Sequence, residues 1–97
     1  MARLRVEVRP GPGVSGYSLF VDGVPAAMRP DHRGEASCAG RCGDGSCHAL
    51  LYSFSGAPGA TLDIVLLCRD REVCRVAGAR IAEGREQRAA GRRLFDL

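Results

Sequence analysis

Hydrophobic and polar positions alternate with period two along much of this chain. In residues 3–9, Leu4, Val6 and Val8 fall on one side and Arg3, Arg5, Glu7 and Arg9 on the other, the pattern of a half-buried strand. Further strands are predicted over 17–21, 47–55, 60–68 and 92–97. The segment 60–68 is the most apolar and is expected inside a sheet, covered on both faces. Between the strands lie glycine- and proline-rich breaks at 10–16 and 56–59. Asp22-Gly23 is the composition of a two-residue hairpin turn. A short segment at 24–28 follows it, restricted to a sheet edge by Pro25, which has no N–H to donate.

Two stretches lack this pattern. Residues 29–46 read as one long loop rich in glycine and acids. Residues 79–91 fit a short helix or a loop, but Ile81 is their only large apolar residue and Gly84 interrupts them, too thin a face to hold a helix on a sheet. The return from the 60–68 strand has two candidate turns. A two-residue loop at Asp70-Arg71 sets Cys68 against Val73. A five-residue loop over 69–73 sets Cys68 opposite Cys74 and stacks Leu62, Ile64, Leu66, Cys68, Cys74 and Val76 on one face. The second is expected, because the buried pattern fixes register.

Six or seven short strands in 97 residues predict a single all-β domain over 1–97, a small two-sheet sandwich of immunoglobulin-like type. The longest strongly apolar run, residues 64–68, is far too short to span a bilayer, and the first ten residues lack the apolar core of a signal peptide. The expectation is a cytoplasmic protein with mostly reduced thiols.

The net charge of +3 changes this picture little. All 14 basic residues are arginine, and lysine and asparagine are absent, which points to GC-rich coding and a bacterial source. The arginines alternate with acids, as in residues 68–75, and only five aromatics are present. A basic stripe with stacking aromatics, the footprint of nucleic-acid binding, is missing. Gly11, Gly13 and Gly16 spell a dinucleotide fingerprint, but a strand follows them where the phosphate-binding helix must stand.

Candidate chemistry is concentrated in residues 38–48, "CAGRCGDGSCH". Cys38, Cys42, Cys47 and His48 are candidate zinc ligands by type and number. Against them stand the C-x3-C-x4-C-H spacing and strand alternation, which turns Cys47 and His48 to opposite faces. His48 is expected to share a layer with Leu50, Tyr52 and Phe54. Five cysteines leave at least one unpaired, and the pairings considered are Cys38 with Cys42 or Cys47, and Cys68 with Cys74. A catalytic thiol would need a base, and His32 is the only candidate for Cys38 or Cys42. Asp44 and Ser46 lack the acidic ligand run of a calcium loop.

The expectation is therefore a non-enzymatic β-sandwich without a resident cofactor, acting on another protein, with the loop 30–46 as its candidate surface. The alternative is a zinc-binding or thiol-redox-responsive protein built on Cys38, Cys42 and Cys47.

Overall fold

The computed structural model describes residues 1–84 and 87–97. Among these residues nine strands form: β1 (Ala2–Pro10), β2 (Val14–Val21), β3 (Val24–Pro25), β4 (Ala27–Met28), β5 (Arg33–Cys38), β6 (Cys47–Gly56), β7 (Thr61–Cys68), β8 (Arg71–Arg80) and β9 (Arg88–Asp96). They make two antiparallel sheets, a five-stranded one in the order β4-β5-β1-β7-β8 and a four-stranded one in the order β3-β2-β6-β9. The fold is a small two-sheet β-sandwich. Among the described residues there is no helix, and so none long and apolar enough to cross a membrane.

The alternating positions pack the space between the sheets. Leu4, Val6 and Val8 of β1 meet Leu62, Ile64 and Leu66 of β7, and Leu19, Val21, Leu50 and Phe54 close over them from the other sheet. Strand β7 lies between β1 and β8, as its apolar run predicts. Asp22 and Gly23 adopt φ of 50° and 80° and set Val21 opposite Val24, the geometry of a type I′ hairpin.

Four expectations change. Residues 33–38, expected within a loop, form β5. Its inward positions, Gly34, Ala36 and Cys38, are buried and its outward ones exposed, but such small side chains carry little hydrophobic signal. A Cβ at Gly34 would strike the Ala27 carbonyl oxygen, so glycine is what allows β4 to close on this strand. The edge segment at 24–28 is divided: β3 pairs with β2 and β4 with β5, so the chain crosses between the sheets at Ala26.

The turn after β7 is neither candidate. Arg69 and Asp70 take φ of 51° and 64° and form a two-residue turn that pairs Cys68 with Arg71 and Leu66 with Cys74. Val73 is the extra residue of a bulge, and it returns Cys74 to the buried face. The six residues expected on one core face are all buried there; the route between them differs. Finally, within the segment 79–91, expected as a short helix or a loop, residues 79–80 extend β8 and residues 88–91 begin β9. β8 runs on through a second bulge, where the Gly78 N–H donates to Asp63 Oδ1 at 2.6 Å. Ile81 then enters the core, its N–H donating to the Ala60 carbonyl at 2.9 Å. The part of this expectation at 85–86 lies outside the described residues.

Candidate functional site: a Cys–His–Asp cluster at one pole

Three elements converge at one end of the sandwich. Strand β6 turns His48 inward, with only 6% of its surface exposed, while Cys47 on the opposite face is exposed. The β2–β3 turn sets Asp22 beside it, because Val21 pairs with Leu50 and the Asp22 N–H donates to the Ala49 carbonyl at 2.9 Å. Asp22 Oδ1 accepts the Ala49 N–H at 2.9 Å, and Oδ2 lies 2.6 Å from His48 Nδ1. The contact with His48, reinforced by the Ala49 N–H, holds the Asp22 carboxyl below its usual range. Cys38, at the end of β5, is the third member. Its Sγ, an Asp22 oxygen and a His48 nitrogen lie within 4.8 Å of one another. Burial pushes the Cys38 thiol up, and the Asp22 and Asp44 carboxylates add to the effect.

The loop 39–46 closes the other side of the imidazole. Ser46 Oγ is 2.8 Å from His48 Nε2 and donates to Asp44 Oδ1 at 2.6 Å. Asp44 also accepts the backbone N–H groups of Arg41 and Ser46, each at 2.8 Å. These bonds, the Ser46 hydroxyl first, draw its carboxyl down to about 2. Gly40 makes the approach possible: its φ is 99°, and a Cβ there would lie 2.5 Å from Asp44 Oδ2. Phe95 covers the imidazole with a ring centroid 5.7 Å away.

A disulfide joins Cys42 to Cys68, with Cα atoms 5.8 Å apart, and ties this loop to the end of β7. Of the four candidate zinc ligands, Cys38 and His48 come together, Cys42 is bridged and Cys47 points away. The bridge is none of the pairings considered, since loop and strand end meet only once the sheets are assembled. Asp22 was legible only as a turn residue. Pairing segment 17–21 with 47–55 in antiparallel register is the signal that places it beside His48. His32 is not a base for these cysteines: its Nδ1 meets the Tyr17 hydroxyl at 2.7 Å, toward the opposite pole. The loop 30–46, expected as a partner surface, is part strand and part bound down at this pole.

Asp22, His48 and Ser46 repeat the contact order of an acid–imidazole–hydroxyl relay. The hydroxyl is directed at Asp44, however, and the nearby Gly43 and Gly45 N–H groups both point at the Leu97 carbonyl oxygen, at 3.1 and 3.4 Å. An activated nucleophile needs its proton directed to the base and free donors for an oxyanion. Here the Ser46 hydroxyl is directed to Asp44 and these two N–H groups are taken by Leu97.

The two outer sheet faces differ. On the five-stranded sheet, Arg3 lies 3.9 Å from Glu35, Arg5 lies 3.7 Å from Glu7, and Arg75 Nε donates to Glu72 at 2.9 Å. On the four-stranded sheet, Phe20 is directly opposite Leu51 and Ala49 directly opposite Leu94. No protein-family model, curated protein or solved structure matches the chain.

Proposed function

We propose that the chain is a non-catalytic protein-interaction module whose partner docks on the outer face of the four-stranded sheet. One observation carries this reading: Leu51 and Leu94 are 43% and 59% exposed on neighbouring strands of that face, with Phe20 and Ala49 beside them. Large apolar side chains grouped on a solvent face are costly to leave in water and mark interaction surfaces. Arg92, directly opposite Leu51, adds a cation to the strip and forms no ion pair with another described residue. The chemistry fits a protein partner with an apolar patch edged by acidic residues, where charge sets orientation and association rate. The absence of catalysis is proposed from Ser46, whose hydroxyl is committed to Asp44.

A photo-crosslinking residue placed at position 94, and in a separate protein at position 35, tests the reading in the native cell. A discrete protein adduct from position 94 and none from position 35 is expected. Adducts from position 35 alone would move the surface to the charged sheet. An adduct of the chain with itself would make the face a self-association surface.

A further inference from the structure

We propose that Cys38, His48 and Asp22 form a binding site for a borderline divalent cation of the zinc class. The donors are Cys38 Sγ, the His48 nitrogen facing Asp22, and one Asp22 carboxylate oxygen. The site lies at the pole and is independent of the docking face. It also differs from a cysteine-loop zinc site, since Cys42 is bridged and Cys47 is on the other side of β6.

The first argument is convergence. A thiol, an imidazole and a carboxylate reach within 4.8 Å of one another from three separate elements, and both Cys38 and His48 are buried. Sulfur, nitrogen and oxygen donors in a cluster of this size suit zinc-class ions, whereas calcium and magnesium take more oxygens. Three protein donors leave one position of a tetrahedral shell to solvent, as in open zinc sites.

The second argument is independent and comes from the far side of the ring. Ser46 Oγ has one proton and lies between two acceptors, Asp44 Oδ1 at 2.6 Å and His48 Nε2 at 2.8 Å. The proton goes to Asp44, so Nε2 must itself carry a hydrogen and donate to Ser46. An imidazole bound to metal through one nitrogen, with its other N–H donated to a neighbouring oxygen, is the usual arrangement around such ions. Here Ser46 and Asp44 supply that outer partner.

Binding breaks the S–H bond of Cys38 and any N–H bond facing Asp22. The thiol proton and any proton on that nitrogen leave to solvent, and the ring keeps a single proton on Nε2. The 2.6 Å between Nδ1 and Asp22 Oδ2 must open to roughly 3.3 Å, the separation of two donors on a tetrahedral ion with bonds of about 2.0–2.1 Å. Asp22 sits on a turn with its side chain 37% exposed and can move that far.

The test is a titration of the chelator-stripped full chain, disulfide intact, with cobalt(II) and then zinc(II). Cobalt should develop a thiolate charge-transfer band that saturates at one equivalent and is displaced by zinc. Cys38→Ser should abolish the band, Cys47→Ser should leave it unchanged, and Asp22→Asn should weaken cobalt binding about tenfold or more. Circular dichroism verifies that each variant folds. If Cys38→Ser does not fold, cadmium-113 NMR of the wild-type chain decides, with a shift typical of one sulfur ligand expected. The proposal is overturned if no band appears, if the band survives in Cys38→Ser, or if the cadmium shift reports no sulfur.

Discussion

The two outer faces of this sandwich are built on the same inner pattern and present different chemistry to water. Over the five-stranded sheet, arginines of β1 and β8 lie beside carboxylates of β1, β5 and β8. Over the four-stranded sheet, Phe20, Ala49, Leu51 and Leu94 gather around serines and arginines of β2, β6 and β9. The first is a solvated face, where mixed charge keeps a sheet soluble. The second keeps exposed apolar groups that its own core does not use. If those groups serve binding, the fold's stability must be held elsewhere, and substitutions should fall in order of effect from the Cys–His–Asp pole to this face.

The largest effect is expected from the disulfide. It closes a loop of 26 residues, and the chain-entropy relation assigns such a bridge about 3.5 kcal/mol. Replacing both Cys42 and Cys68 by serine should lower urea stability by roughly that amount. A loss below about 1 kcal/mol would show that loop 39–46 is held without its bridge.

Gly40→Ala comes next. The left-handed backbone and the collision with Asp44 should cost about 1–3 kcal/mol, read as a fall in the urea midpoint. An unchanged midpoint would mean that the Asp44–Ser46–His48 chain contributes nothing to stability.

Acid should expose the same network. Asp44 titrates near 2 in the fold, below the ordinary carboxylate value of about 3.9. A depressed folded value means that its contribution is full above the unfolded value, and is lost as pH falls through about 4 towards 2. Asp22 is lowered in the same direction. Thermal midpoints measured across that range should decline in the wild type and decline less steeply in Asp44→Asn. Parallel curves would remove Asp44 from the account.

The smallest effect belongs to the apolar face. Leu51→Ser and Leu94→Ser remove side chains already largely in water, so each should change urea stability by no more than about 0.5 kcal/mol. A loss above about 1 kcal/mol would assign these residues to the fold, and the contrast between the faces would fail.

Much of this architecture was legible from alternation. The segments at 3–9, 17–21, 47–55 and 60–68 each carry branched, aromatic or leucine side chains at every second position, and each is a strand. Strand β5 was hidden because glycine, alanine and cysteine do the inward packing there, and its outward Arg33, Glu35 and Ser37 resemble loop residues. The turn after β7 was misread because Arg69 and Asp70 are not the glycine-containing pair that usually marks positive φ. For the site, the inward turn of His48 and outward turn of Cys47 followed from alternation alone. The convergence with Asp22 and Cys38 did not, because it depends on which strands pair. The apolar strip was invisible for the same reason: Phe20, Leu51 and Leu94 are scattered in sequence and meet only across β2, β6 and β9.

The most direct measurement of the central claim is the affinity of the chain for the partner crosslinked at position 94, compared across two single variants. Leu94→Asp should raise the dissociation constant about tenfold or more, since it buries a charge in an apolar contact. Glu35→Arg, on the opposite face, should leave it within about twofold, as remote charges are largely screened at physiological salt. An affinity untouched by Leu94→Asp, or lost in Glu35→Arg, would contradict the assignment of the binding face.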